Sequence, residues 1–152
     1  MDKLTAQRRS ENMRQIRGAN TGPELTVRRF VHSQALRYRL HARHLPGRPD
    51  LVFPALRSCL FVHGCFWHGC EKCIDGTRKV RSRTDYWREK IAGNQRRDAK
   101  HRKELRALGW SVLVIWECEL ARPAPLRQVT KLLLGLRSRN RRGQSVRRLR
   151  QG

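Results

Sequence analysis

Residues 50–64 read DLVFPALRSCLFVHG, two short apolar runs separated by a turn that contains a proline. Before them stands HLPGRP at 44–49, turn-forming residues that force an extended backbone into Asp50. The second run, residues 59–62, is continuous and apolar, as is typical of a central strand buried on both faces. The pattern predicts a strand hairpin that begins at Asp50 and delivers His63 and Gly64 at its far end.

Outward from the hairpin, helical periodicity, glycines and prolines predict the other elements. They are an arm or weak helix at 5–17, a helix at 23–35, a short strand at 36–41, a long amphipathic helix at 84–108 capped by Thr84, a strand at 110–116 and a last helix at 125–136. This order contains no internal repeat. It predicts an α/β fold with a mixed β-sheet flanked by helices.

The charge of the chain predicts a polyanionic partner. In 152 residues, enough for one domain, 35 Lys and Arg stand against 12 Asp and Glu, with a net charge of +23. We predict a domain at 1–136, whose residues 1–20 form an arm, and a basic, disordered tail at 137–152. The arginines of the tail are Arg137, Arg139, Arg141, Arg142, Arg147, Arg148 and Arg150.

The cysteine pattern predicts a bound metal. No apolar run could span a bilayer or serve as a secretion signal, so we expect a cytoplasmic protein with reduced thiols. Cys65, Cys70 and Cys73 lie within nine residues, and tetrahedral Zn²⁺ would take a fourth thiolate from Cys118, just after a predicted strand. This structural zinc site would tie the loop to the sheet, with free buried thiols as the alternative. Cys59, inside the apolar strand, is assigned to the core.

Asp50 is a candidate ligand for a hard cation. It enters one strand, and the backbone carbonyl of Val62, at the end of the neighbouring strand, could face the same ion. Oxygen ligands of this kind suit Mg²⁺. An aspartate at a strand start is also a common acceptor in turns, and this alternative stays open. The imidazoles of His63 and His68 in the adjacent loop favour the metal site.

Four motifs stand in an order and spacing that resemble one nuclease family. They are PGRPD at 46–50, FVHGCFWH at 61–68, WxxKIxxNxxxD at 87–98 and GWxVxxxWEC at 109–118. Together they resemble the very-short-patch repair (Vsr) DNA mismatch endonucleases, from about residue 10 to about residue 120. Two features depart from the family pattern. Cys70 stands where many relatives use histidine, which predicts four thiolates on the metal, and the arginine tail has no counterpart.

The resemblance implies a restriction-endonuclease-like core with a catalytic Mg²⁺ site. Asp50 and the main-chain carbonyl of Val62 would hold the ion, while Glu24, His63 and His68 complete the catalytic cluster. The Glu-x-Lys pair that is common in restriction enzymes does not follow Asp50. The Vsr family shares this departure, which favours it over a more general relative.

The resemblance also assigns residues to DNA. Phe66, Trp67 and Trp87 would form an aromatic wedge that enters the base stack beside the mismatch, although Trp87 could instead belong to a helix-face core. Four further contacts are implied in the grooves and on the backbone. They are Lys90 and Asn94 on base edges, with solvated helix residues as the alternative, Met13 of the arm in the opposite groove, and Arg14 on a phosphate.

The function that the resemblance implies is Mg²⁺-dependent hydrolysis on the 5′ side of the thymine in a T:G mismatch, such as deamination of 5-methylcytosine leaves. This nick in one strand would initiate very-short-patch repair. The implied partner is double-stranded DNA with a T:G mismatch. The resemblance implies a monomer that acts at the bacterial nucleoid, and it is compatible with docking to a general mismatch-repair factor. Two alternatives remain: a restriction-like endonuclease on matched DNA, and a non-catalytic zinc-containing nucleic-acid-binding protein.

Overall fold

The computed structural model describes residues 5–15 and 18–149, without the side chains of residues 9, 13, 15 and 142–149. Its helices are α1 (Ala6–Gln15), α2 (Gly22–Ser33), α3 (Cys65–His68), α4 (Ile74–Thr77), α5 (Thr84–Ala107) and α6 (Pro123–Leu149). Its strands are β1 (Arg39–Leu40), β2 (Leu51–Phe53), β3 (Ser58–His63) and β4 (Ser111–Trp116), and 3₁₀ turns occupy Pro54–Leu56 and Glu117–Ala121. Within these ranges no helix is both long and apolar enough to cross a membrane.

The strands form one sheet in the order β1-β2-β3-β4. β1 pairs antiparallel with β2, β2 and β3 form the predicted hairpin, and β4 lies parallel to β3 with Phe61 opposite Val114. A parallel pair needs a crossover, which contains α5. The α/β class and the mixed sheet flanked by helices are therefore confirmed.

The turn between β2 and β3 anchors β4 to the hairpin. Pro54 opens a 3₁₀ turn, and Arg57 closes it in the left-handed region with φ at 49°. The carbonyl of Arg57 accepts the N–H of Ser111 at 2.8 Å, and its guanidinium lies 4.9 Å from the ring centroid of Trp110. This end of the sheet is the one remote from Asp50 and His63.

Apolar side chains cover the sheet on both faces. Because successive strand residues point to opposite faces, Leu51 and Phe53 lie in one cluster and Val52 lies in the other. The first cluster joins the sheet to α2 and α6, and the second joins it to α5 through Leu105. Cys59 is fully buried in the second cluster, as its assignment to the core predicts.

Two ends of helices differ from the predictions. Thr84 is the first residue of α5 rather than its cap, because Arg83 precedes it in the left-handed conformation and makes no side-chain capping bond. α6 continues to Leu149, through most of the segment predicted to be disordered. That segment contains no proline and is rich in helix-forming arginine, and a glycine inside a helix costs only about 1 kcal/mol. Asn140 also donates to the carbonyl of Ala55 at 3.0 Å, which holds the helix against the hairpin turn.

Candidate active site and metal centre

A cleft of about 800 Å³ opens where β2 begins and β3 ends, with walls from α2 and α5. Its acidic and imidazole side chains form two clusters, and within each cluster the potential ligand atoms lie within 4.8 Å of one another. The clusters are Glu24, His41 and Asp50, and His63, His68 and Asp98. All four predicted catalytic side chains thus line one cleft.

Asp50 lies directly before β2, beside the end of β3. Its Oδ2 accepts the backbone N–H of Val62 at 2.7 Å. Burial raises the pKa of Asp50 to about 6, and the hydrogen bond from Val62 offsets part of that rise. A buried carboxylate that is costly to ionise gains most from a nearby cation. The contact puts the backbone of Val62 beside this carboxylate, while its carbonyl as a second ligand stays a prediction.

Glu24 reaches the cleft from the first turn of α2. The hydroxyl of Thr21 accepts the N–H of Glu24 and caps the helix, and the Glu24 carboxylate accepts the N–H of Asn20 at 3.0 Å. Nη2 of Arg28, one turn further along, donates to Glu24 Oε2 at 2.9 Å. Glu24 is buried, so α2 presents a carboxylate of fixed orientation to the cleft.

His41, which the sequence motifs do not single out, completes the first cluster. The antiparallel pairing of β1 with β2 extends one residue beyond the pair Leu40 and Leu51. The N–H of His41 therefore donates to the carbonyl of Asp50 at 3.4 Å. His41 Nε2 lies 3.7 Å from Glu24 Oε2. The signal that could have found it is the register between β1 and β2, which places the residue after one strand opposite the residue before the other.

His63, His68 and Asp98 form the second cluster. The imidazole rings of His63 and His68 stack with centroids 4.0 Å apart, and His68 Nδ1 lies 2.6 Å from Asp98 Oδ2. Burial, and next the proximity of His68, lower the pKa of His63 to about 4, which keeps it neutral near pH 7. Burial opposes the ionisation of Asp98, but the hydrogen bond with His68 and the charges of His68, His63 and Arg102 together outweigh it and lower the pKa of Asp98.

Asp98 belongs to the motif at 87–98 but is not among the predicted catalytic residues. Its side chain reaches His68 because α5 runs alongside the loop that follows β3. Asp98 stands one helical turn after Asn94, so both residues share the face of α5 turned toward that loop. This periodicity is the signal that could have joined Asp98 to the predicted catalytic histidines.

The four predicted zinc ligands, Cys65, Cys70, Cys73 and Cys118, come together. Their Sγ atoms all lie within 4.8 Å of one another, with Cys70 and Cys118 separated by 3.8 Å. Four thiolates around a tetrahedral Zn²⁺ with bonds of about 2.3 Å would be about 3.8 Å apart, so the cluster fits such an ion. A hydrogen bond from the N–H of Gly76 lowers the pKa of Cys73, whereas burial raises the pKa of Cys65.

Two glycines allow the loop around these thiols to close. Gly69 adopts a φ of 64° at the end of α3, where a side chain would meet Gln95 of α5 at 2.5 Å. A Cβ on Gly76 would lie 1.9 Å from the carbonyl oxygen of Cys70. Only glycine permits this approach, which brings the N–H of Gly76 to the Cys73 sulfur.

Phe66, Trp67 and Trp87 form one half-buried aromatic cluster beside the cleft. Their ring centroids are 5.3 to 5.7 Å apart in edge-to-face arrangements. Lys90 Nζ lies 5.7 Å from the ring centroid of Trp87 and 6.0 Å from that of Trp67. Trp87 is in neither core cluster of the described residues. The three residues predicted to form a wedge therefore share one surface, and their contact with DNA stays a prediction.

The other predicted DNA contacts are more dispersed. Asn94 faces the loop, where its Nδ2 donates to the carbonyl of Trp67 at 2.7 Å and its Oδ1 accepts from Arg97. Arg14 is exposed near the end of α1, and α1 contributes no residue to the described lining of the cleft. The side chain of Met13 lies outside the described residues.

Comparisons with known proteins identify the family of the chain. Residues 1–74 match the family model described as DNA mismatch endonuclease Vsr. The chain is 50% identical to the type II nicking enzyme V.XorIIP of Xanthomonas oryzae pv. oryzae, over 79% of this chain and 87% of that protein. It is 41% identical to the type II nicking enzyme V.NmeAIP of Neisseria meningitidis, over 84% and 89% respectively. It is 40% identical to the DNA mismatch endonuclease Vsr of Escherichia coli, over 78% and 73%.

The matches to these relatives cover most of the relatives as well as most of this chain, and the family model covers its first 74 residues. The restriction-endonuclease-like core implied by the resemblance agrees with the observed mixed sheet and its flanking helices. The chain therefore belongs to the Vsr family of DNA endonucleases.

Proposed function

We propose that this endonuclease nicks one strand of duplex DNA on the 5′ side of the thymine in a T:G mismatch, by Mg²⁺-dependent hydrolysis of the phosphodiester bond. Such a nick would initiate very-short-patch repair of deaminated 5-methylcytosine in the bacterial cytoplasm. The observation that carries the proposal is that the Glu24 and Asp50 carboxylates share one cleft with the hydrogen-bonded pair His68–Asp98. The names of the relatives agree with it, one being called a mismatch endonuclease and others nicking enzymes.

The first cluster suits a magnesium ion. The carboxylates of Asp50 and Glu24 supply the hard oxygen donors that Mg²⁺ prefers, and both lie at the cleft. A bound ion would lower the pKa of the attacking water and offset the charge that develops on the phosphate. Arg48 and Arg102 also line the cleft and supply positive charge for the DNA backbone.

The second cluster suits proton transfer. The carboxylate of Asp98 accepts a hydrogen bond from Nδ1–H of His68, which leaves His68 Nε2 with the lone pair that can take a proton. The neutral ring of His63 stacks on the ring of His68, and it would hold that ring in place without adding a second positive charge. In this proposal His68 is the general base and Asp98 orients it and stabilises its protonated form.

The four thiols would hold a structural Zn²⁺, because all four coordination positions are filled by protein and none is left for a reactant. The aromatic cluster of Phe66, Trp67 and Trp87 would enter the base stack beside the mismatch, with Lys90 at the edge of the same surface. A T:G pair unstacks at lower cost than a matched pair, which would favour the mismatch.

A nicking assay tests the proposal. Paired duplexes that differ only in one T:G or T:A pair are incubated with Mg²⁺ and either the wild type or Asp50→Ala. We expect only the wild type to cut, and only the thymine strand of the T:G duplex. Equal cutting of both duplexes would favour a restriction-like enzyme, and binding without any cutting would favour a non-catalytic zinc protein. Metal analysis of the purified protein tests for one zinc per chain.

A further inference from the structure

We propose that Arg28 is a positioning residue of the active site, which holds Glu24 and His41 in fixed orientations beside Asp50. This inference rests on the proposed function, because it assigns Arg28 to the same hydrolytic cleft. Arg28 is 8% exposed, and it does not belong to the described lining of the cleft. Any effect it has on catalysis must therefore pass through the side chains that it holds.

Two of the three side chains that the Arg28 guanidinium contacts, Glu24 and His41, belong to the first cluster. Arg28 Nη2 donates to Glu24 Oε2 at 2.9 Å and to His41 Nε2 at 2.9 Å, while Nη1 donates to Asn20 Oδ1 at 2.7 Å. The described contacts leave its buried Nε without a partner. A guanidinium placed only to neutralise Glu24 could use Nε and Nη2 together in a bidentate pair. Arg28 instead leaves one donor unsatisfied while it bridges three side chains.

The contact with His41 fixes the chemical form of that imidazole. A guanidinium has only N–H donors, so His41 Nε2 must be the acceptor, and the remaining proton of the neutral ring resides on Nδ1. Without Arg28, Nε2 would be free to carry the proton and donate it to Glu24 Oε2, which is 3.7 Å away. Arg28 thus selects one tautomer of His41.

The charge of Arg28 also serves the cluster. Glu24 is 4% exposed, and its carboxylate lies in the same cluster as that of Asp50. Two buried carboxylates repel each other, and a permanent positive charge between α2 and β1 holds Glu24 in place before any cation enters. Lysine could supply that charge, but a single ammonium group cannot reproduce the planar geometry that spans three acceptors.

Arg28→Met and Arg28→Lys test the proposal, and Arg29→Met is the matched control, since Arg29 is the adjacent, exposed residue of α2. The first readout is the tautomer of His41 in ¹⁵N-edited NMR spectra of the metal-free protein, assigned by comparison with His41→Gln. We expect the Nδ1–H form in the wild type and in Arg29→Met, and its loss in both Arg28 variants. An unchanged tautomer in the Arg28 variants overturns the proposal, whether or not the protein nicks mismatched DNA.

The second readout is the single-turnover nicking rate, measured beside the dissociation constant for the same duplex. Displaced active-site groups reduce rates by roughly 10- to 100-fold, and we expect that loss in both Arg28 variants with DNA affinity unchanged. In a Glu24→Gln, His41→Gln background the same substitutions should cost little further activity, because both groups that Arg28 holds have already been changed. Additive losses in that background would mean that Arg28 acts independently of Glu24 and His41, contrary to the proposal.

Removing one partner of a buried ion pair leaves an uncompensated charge and lowers the stability of the fold, so Arg28→Met is also examined by urea unfolding. If it does not fold, Arg28→Lys carries the test, since it retains the buried charge. A folded Arg28→Lys with wild-type tautomer and rate overturns the proposal. If the wild type itself fails to nick, the proposed function fails, while the tautomer still decides whether Arg28 organises the cluster.

Discussion

His63 lies face to face with His68, with ring centroids 4.0 Å apart and ring planes within 7° of parallel. Two protonated imidazoles at this distance would repel each other, and His63 is the more deeply buried of the two. The stack therefore divides the roles of the rings. His63 stays neutral, and in the proposed mechanism His68, which is paired with Asp98, is the ring that takes the proton.

His63 should make the protein less stable as the pH falls. Burial lowers the pKa of His63 from 6.5 to about 4, so the unfolded chain takes up a proton before the folded one does. The contribution of His63 to stability is therefore present above pH 6.5 and is lost as the pH falls through about 4. Urea unfolding between pH 7 and 4 should show a weaker pH dependence for His63→Gln than for the wild type. Equal slopes would contradict this assignment.

Asp50→Asn should stabilise the metal-free protein while abolishing cleavage. Burial raises the pKa of Asp50 to about 6, so the carboxylate destabilises the fold where it is ionised, and stability is lost as the pH rises from 3.8 through about 6. Asparagine can still accept the N–H of Val62. We expect a gain of about 1–3 kcal/mol at pH 7, which shrinks below pH 5, measured by urea unfolding with a chelator present. A loss of stability of Asp50→Asn at pH 7 would show that the ionised Asp50 carboxylate does not destabilise the folded protein.

Cys118→Ala should release the bound metal and loosen the loop after β3. Its sulfur is 3.8 Å from that of Cys70, and its N–H donates to the sulfur of Cys65. We expect less than one zinc per chain and a fall in Tm, measured by metal analysis and calorimetry. Cys59→Ala is the control, because Cys59 is buried in the apolar core and lies outside the cluster. It should keep its metal, and zinc retained by Cys118→Ala would count against the four-thiolate site.

Asn94→Asp should disturb the aromatic cluster of Phe66, Trp67 and Trp87 through the backbone of Trp67. The side-chain amide donates to the carbonyl of Trp67 at 2.7 Å, and a carboxylate in its place would repel that oxygen. We expect weaker binding to T:G duplexes and a change in tryptophan fluorescence in the absence of DNA. Gln95→Ala serves for comparison, since Gln95 is exposed and donates to the same loop only at 3.4 Å. If fluorescence without DNA is unchanged in Asn94→Asp, Asn94 does not support Trp67.

Much of the architecture could be predicted from local patterns. The two apolar runs around Pro54 predict the hairpin, and the spacing of Cys65, Cys70 and Cys73 predicts the thiol cluster, because both depend on residues near in sequence. His41 could not be assigned in the same way. It reaches Asp50 only through the register of β1 on β2, and β1 contains just Arg39 and Leu40.

Helix ends were predicted less well than helix positions. The range of α2 is within two residues of the prediction, since Thr21 and Pro23 mark its start. The end of α6 differs because composition alone favoured disorder for the arginine-rich segment. Contacts between residues far apart in sequence, such as that between Arg137 and the carbonyl of Ala35, 102 residues apart, hold the first part of this segment against the domain. No local pattern records such a contact.

The crossover between β3 and β4 separates the parts of the site along the chain. His68 precedes α5, Asp98 lies within it, and Cys118 follows β4. A ribosome-bound chain that has exposed only the hairpin therefore carries Asp50 and His63 without Asp98 or the last thiol. Because domains fold as units during synthesis, the cleft is assembled only after the chain has emerged well past residue 118. In the proposed mechanism Asp98 orients His68, so chains that end before Asp98 should lack nicking activity.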